Sequence, residues 1–231
     1  MKKSFQNFIQ FLKRPDLIKA SKDRKLLMTE FGTLFLIDII FTALLFSIFG
    51  LLLHFNLVKE YNGIDFLKEY GVLGSLALAC VFAPFIEELL FRWHLKDLNG
   101  SIYFFTLSMG LLITSQISNH WVQFGVIIGA IALAATVISF LRKKPKIYSL
   151  KKWKKCYPFL FYYTAVIFGL IHLSNYKELS IADPSFVFYI GSQAFGGLSL
   201  GYLRIKYGLI YGMLFHAFFN LVVFSLAILF R

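Results

Sequence analysis

Acidic residues are scarce in this chain. Its 231 residues carry 12 Asp and Glu against 24 Lys and Arg, and charged residues of all kinds reach only 16%. Soluble domains hold about 25%, so an ordinary soluble domain is excluded. Cysteine is nearly absent. Cys80 sits in an apolar run and Cys156 beside a lysine cluster, which leaves no basis for a disulfide framework or a cysteine zinc site. No apolar core follows Met1-Lys2-Lys3 within the next fifteen residues, so no cleaved signal peptide is expected. There is no internal repeat and no low-complexity stretch beyond one lysine-rich loop. Strictly alternating ten-residue segments, the signature of a membrane barrel, are missing too.

What the chain has instead is hydrophobic residues, 58% of the total, gathered into runs such as Leu34 to Phe55 and Trp121 to Leu141. Each is long enough to cross the hydrocarbon core, which takes roughly 20 helical residues. Each is apolar all round, unlike the one-sided stripe of a soluble helix. The pattern predicts an all-α polytopic bundle with about seven spans near 33–55, 72–92, 102–119, 121–141, 157–173, 185–203 and 208–230. Before it, Phe5, Phe8, Ile9 and Leu12 recur at helical spacing, predicting a short amphipathic helix from Ser4 to Arg14 that lies on the membrane and ends at Pro15. The chain thus divides into a basic segment, 1–30, and a bundle, 31–231.

The net charge of +12 does not signal nucleic acid, because the cations flank the apolar runs as topology determinants do. Lys2, Lys3, Lys13, Arg14, Lys19, Lys22, Arg24 and Lys25 precede the first span, and the loop 142–156 is equally basic. The connections 56–71 and 174–184 are near neutral or slightly acidic. An alternating topology with the N-terminus in the cytoplasm satisfies all of these. Membrane lipid is the partner this predicts, and the short chain suits a bacterial plasma membrane. Small-residue pairs within spans (Gly125 with Gly129, Gly197 with Gly201, Gly208 with Gly212) permit close helix contacts and carry no functional signal.

Polar groups inside spans each need a reason. Glu87, Glu88 and Arg92 lie near the end of the second span. The four-residue step from Glu88 to Arg92 puts them on one face, which makes Glu88 the candidate for an ion pair. Glu87 is turned about 100° away and is free to face a cavity, where a carboxylate can serve as a general base. A purely structural ion-pair cluster is the other reading. His172 ends the fifth span, four residues after Phe168. His216 lies about 12 Å inside the last span and shares a face with Asn220, so both must meet bundle partners or water. His54, His94 and His120 read as interfacial. Asp38, within the first span, has no evident role.

Glu87-Glu88-Leu89-Leu90-Phe91-Arg92 fits EExxxR, Phe168 to His172 fits FxxxH, and His216 to Asn220 fits HxxxN. In this order on separate helices, the three resemble the CPBP family of intramembrane proteases, which includes eukaryotic CAAX prenyl endopeptidases and bacterial Abi-type and bacteriocin-immunity proteins. Ala83-Pro84, the stretch Gly197 to Tyr202 and Gly208 look similar as well. The resemblance covers about residues 72–230. It implies that Glu87 activates a water, that His172 holds or deprotonates it, and that His216 and Asn220 stabilise the oxyanion, with Glu88 and Arg92 in support. The substrate would be a membrane-associated peptide or protein. The family is often labelled a metalloprotease, and Glu87, His172 and His216 are residue types that bind zinc. With no HExxH pair on one helix, a metal-free mechanism is favoured. Glu88 and His172 stand farther apart in sequence than the family usually shows, so 102–141 reads as an inserted hairpin.

Serine (GxSG) and aspartyl (GxGD) intramembrane protease motifs are absent. A non-catalytic immunity or scaffold protein of the same fold is the main alternative. A small transporter comes next, although inverted-repeat halves with broken helices are missing. Counting residues from the basic ends places Glu87 and His216 towards the cytoplasmic side and His172 towards the other. The three would meet if the fifth helix began after Tyr157, with the polar run Ser174 to Asp183 then lining a cavity.

Overall fold

In a computed structural model, which describes residues 1–229, each of the seven apolar stretches becomes helix. After the N-terminal helix α1 (Lys2–Lys13), the order is α2 (Arg24–His54), α3 (Phe66–Ala77), a π turn (Leu78–Phe82), α4 (Ala83–Arg92), a 3₁₀ turn (Trp93–Lys96), α5 (Leu98–Thr114), α6 (His120–Arg142), α7 (Lys146–Ile171), a second 3₁₀ turn (His172–Asn175), α8 (Phe186–Lys206) and α9 (Leu209–Leu229). Among the described residues there is no β-strand, only an isolated bridge between Gly63 and Tyr176. The expected last span and the bundle run to 230 and 231, and those two positions lie outside the described residues.

Among the described residues, five helical stretches are long and apolar enough to cross a membrane: Arg24–His54, Phe66–Lys96, His120–Arg142, Lys146–Asn175 and Leu209–Leu226. The chain is an integral, multi-pass membrane protein. α5 is apolar but shorter. α8 carries Gly, Ser and Gln because it is the central helix. It packs on α7, α2 and α9 and buries Tyr189, Ile190, Leu200, Tyr202, Leu203 and Ile205. A helix screened by protein can hold polar residues that a lipid-facing one cannot.

Glycine sets the closest helix crossing. A Cβ at Gly169 on α7 would stand 2.9 Å from the Ala194 Cβ and 3.0 Å from the Ile190 carbonyl of α8, and one at Gly201 would meet the Phe161 ring at 2.7 Å. Gly197 is similarly tight against Ala165, whereas Gly125 and Gly129 meet nothing within 4 Å. α6, which carries that second pair, packs mainly on α5. The two form a hairpin laid against the bundle.

α1 forms as the periodicity predicts, but its apolar face is turned to protein. Phe8 and Phe11 are buried, edge-on to Tyr202 and Phe161, while Phe5 remains exposed. Beside them Glu30 of α2, only 1% exposed, accepts hydrogen bonds from Lys206 Nζ (2.6 Å), Tyr207 (2.8 Å), Tyr202 (3.0 Å) and Asn7 (3.1 Å). This end of the bundle also holds the basic N-terminal half of α7.

At the opposite end two connections clasp each other. Ile64 N–H donates to the Asn175 carbonyl (2.9 Å), Lys177 N–H to the Asn62 carbonyl (3.0 Å) and Tyr61 N–H to the Tyr189 hydroxyl (2.8 Å). The Tyr61 hydroxyl donates to Asp183 Oδ2 (2.7 Å). Hydrogen bonds from Ser185, and then from Tyr61, hold the Asp183 carboxyl down at about 2. A depressed carboxyl stabilises the fold above its unfolded value and loses that effect as pH falls through its folded value. The clasp should therefore stay closed down to about pH 4 and loosen between there and about 2. Tyr61→Phe should speed amide hydrogen exchange across 172–185 severalfold at neutral pH, and an unchanged exchange rate would show that this bond does not hold the clasp.

Candidate active site

α4 carries the first half of the site. The helical step from Glu88 to Arg92 does what the spacing predicts: both side chains are fully buried, with Arg92 Nη1 3.3 Å from Glu88 Oε1. The guanidinium lies over the Phe168 ring, 3.8 Å from its centre, a favourable placement for a cation. The same Glu88 Oε1 lies 3.2 Å from His216 Nδ1 on α9. One carboxylate oxygen thus answers a buried charge and orients an imidazole. Glycine makes the approach possible, since a Cβ at Gly212 would come within 3.1 Å of Glu88 Oε2.

Glu87, turned away from this pair, faces two histidines. Its Oε2 lies 3.9 Å from His172 Nε2 and 3.8 Å from His216 Nε2. That oxygen is enclosed and has no hydrogen-bond partner among the described residues. The partners of the two rings fix their tautomers. His172 Nδ1 is 2.7 Å from the Phe168 carbonyl, which can only accept, so Nδ1 carries the hydrogen. His216 Nδ1 faces a carboxylate in the same way. In the neutral rings both Nε2 atoms then keep lone pairs. Three acceptors therefore converge on one point, an arrangement that calls for a donor between them, and a water molecule is such a donor.

Asn220 has a task that its sequence position does not announce. Ala83 N–H donates to the Leu78 carbonyl in the i→i+5 pattern of the π turn. In that pattern the Ala79 carbonyl would look to position 84, which is proline and has no N–H. Asn220 Nδ2 supplies the missing donor at 2.7 Å. It pins α9 to the break just before Glu87 and keeps a second N–H for other use.

The site residues named from the sequence, Glu87, Glu88, Arg92, His172, His216 and Asn220, are brought together. The expected separation of His172 from Glu87 is overturned, and so is the expected remedy. α7 begins at Lys146, well before Tyr157. Its start lies beyond the end of α4, since the Tyr157 hydroxyl donates to the Leu95 carbonyl at 3.1 Å. The helix stops at Ile171, and the His172 ring folds back over its own last turn to reach Phe168 O. Side chains on helices lean towards the N-terminus in this way.

His54 and His120 are exposed at helix ends, as expected. His94 is not interfacial. It is 2% exposed and stacked on Phe104 with ring centres 4.0 Å apart, because the 3₁₀ turn tucks it beneath α5. Two buried carboxylates have roles that the sequence does not reveal: Glu30 gives no local signal at all, and Asp38 stands out only as a charge without a partner. Asp38's partner Ser199 and Glu30's partners Tyr202, Lys206 and Tyr207 lie more than 150 positions away, beyond the reach of any local spacing.

Glu87, His172 and His216 are residue types that bind zinc. Among the described residues no three His, Cys, Asp or Glu side chains are grouped to hold a metal ion.

No curated protein and no solved structure matches the chain. The family model for type II CAAX prenyl endopeptidases, Rce1-like, matches residues 69–222, a stretch that includes every residue of the site just described. With more than half of its length matched and EExxxR, FxxxH and HxxxN meeting in one place, the chain belongs to the type II CAAX prenyl endopeptidase Rce1-like family.

Proposed function

We propose that this protein is an intramembrane endopeptidase that hydrolyses a peptide bond of a membrane-associated peptide or protein with a water activated by Glu87. One observation carries the reading: the enclosed Glu87 Oε2 stands 3.9 and 3.8 Å from the Nε2 atoms of His172 and His216, which offer lone pairs when the rings are neutral. A water donating one hydrogen to Glu87 and the other to an imidazole keeps its oxygen lone pairs free to attack a carbonyl. Glu87 takes the proton as the new C–O bond forms. Glu87 hands that same proton on to His216 Nε2, 3.8 Å from its Oε2, and Glu88 stabilises the imidazolium, as a buried carboxylate does for histidine in serine proteases. His216, now a donor at Nε2, and the second N–H of Asn220 then face the oxyanion. The C–N bond breaks as a proton passes to the leaving amine, which gives one carboxylate and one amine for each water consumed. No step runs through a metal.

The basic end faces the cytoplasm in this reading, and the membrane is a bacterial plasma membrane. A quenched fluorescent peptide with a prenylated C-terminal CAAX sequence, set beside an unprenylated apolar peptide, tests whether the lipid is recognised. Purified protein in liposomes should cleave one of them, and Glu87→Ala, His172→Ala and His216→Ala should each lose cleavage by a factor of about 10² or more. Chelation should leave the rate unchanged. Undiminished cleavage in all three variants defeats the reading, and loss on chelation restored by zinc defeats its metal-free form. The family match favours an enzyme over the immunity-factor alternative.

A further inference from the structure

We propose that Asp38, on α2 and outside the segment matched by the family model, is a positioning residue of the hydrolytic centre that anchors water in a chamber behind His216. The inference rests on the hydrolytic reading above. Asp38 is 2% exposed. Its Oδ1 accepts a hydrogen bond from Ser199 at 2.8 Å, whereas its Oδ2 is buried with no partner among the described residues. An unmade hydrogen bond on a buried carboxyl oxygen is costly, and such groups are normally satisfied by protein or by ordered water.

The space for that water is present. A cavity of about 30 Å³ is lined by Asp38, Ser192, Gln193, His216 and Asn220 among its polar residues, with Phe168, Phe215 and Phe219 among the apolar ones. One water needs about 10–15 Å³ of such space and two to four polar partners, so the chamber holds about two. His216 and Asn220, both assigned to the hydrolytic centre, form its wall. Water held by Asp38 fixes the ring and the amide from behind and stands ready to replace the molecule consumed in each turnover. No covalent step involves Asp38, because its action passes through water.

Two substitutions attack the chamber independently. Asp38→Asn keeps the side-chain volume and removes the carboxylate. Gly196→Val leaves Asp38 untouched, yet Gly196 lines the cavity and a Cβ there meets nothing within 4 Å, so the new side chain fills the space. In liposomes with whichever peptide the wild type cleaves, each should lower kcat about 10- to 100-fold with KM within about twofold, a split expected when a group acts on the chemical step and not on binding. A second readout needs no substrate. Radiolytic labelling by bound water should modify Phe215, 1% exposed, in the wild type and about tenfold less in Gly196→Val.

Wild-type kcat in both variants, or a loss confined to KM, overturns the proposal. A fall in kcat for Asp38→Asn alone, with Gly196→Val fully active, reassigns Asp38 to structure and overturns it as well. If Asp38→Asn does not fold, Gly196→Val and the labelling decide. Should Glu87→Ala remain active, the hydrolytic reading fails. Labelling of Phe215 that Gly196→Val leaves undiminished defeats the chamber itself.

Discussion

Replacing the two adjacent glutamates one at a time should separate chemistry from folding. Glu87→Gln should lower kcat by a factor of about 10³, within the range for a lost general base, and leave thermal unfolding in detergent where it was. Its Oε2 makes no hydrogen bond to protein among the described residues, so an isosteric amide breaks no hydrogen bond of that oxygen to protein. Glu88→Gln should cost both activity and stability. Arg92 is fully buried, and the charge it faces at 3.3 Å is Glu88. Breaking a buried pair by removing one partner typically costs about 3–5 kcal/mol, because the other charge stays buried and uncompensated. The amide oxygen can still accept from His216 Nδ1, at 3.2 Å from Oε1, so part of the ring's orientation survives. Its imidazolium would nevertheless lose a counter-charge. Equal losses of stability in the two variants would show that the division of labour drawn from the helical step is wrong.

That division is legible in the residue spacing, because it depends on helix geometry alone. A four-residue step puts Glu88 beside Arg92, a one-residue offset turns Glu87 aside, and His216 shares a face with Asn220. What stays hidden in the sequence depends on groups brought close by the fold. Asn220 is committed to Ala79 because Pro84 offers no N–H to a π turn. A π turn is a choice of the backbone that no residue pattern announces. Asp38 and Glu30 have their partners on α8 and at the α8–α9 junction, and nothing in their own neighbourhoods points there. His94 defeats the expectation for a different reason. A residue just past the end of a helix reads as interfacial, and only the 3₁₀ turn at Trp93–Lys96 puts it under Phe104. The stripe on α1 is correct as a period and silent about its partner, since lipid and a bundle surface both accept Phe8 and Phe11.

A glycine three residues before a proposed catalytic histidine should control its placement. Gly169→Val should reduce kcat about 10²-fold, because a displacement of about 1 Å at a reacting group has an effect of that size. The new side chain meets the Ile190 carbonyl at 3.0 Å and the Ala194 nitrogen at 3.2 Å. Both are backbone atoms that cannot swing aside. α7 must therefore move off α8, and His172 moves with it away from Glu87. Overpacking of this kind costs about 1–3 kcal/mol, so the protein should still fold. Gly125→Val, on a face where a Cβ meets nothing within 4 Å, should leave activity unchanged and control for the substitution itself. Gly169→Ala should fall in between. Adding Ala194→Gly removes the nearest obstacle, the Cβ at 2.9 Å, and should restore part of the rate. Full activity in Gly169→Val would mean that the α7–α8 seam does not set the position of His172. Restoration by Ala194→Gly would tie the loss to that one contact, because relief of a clash is what distinguishes a coupled pair from two independent injuries.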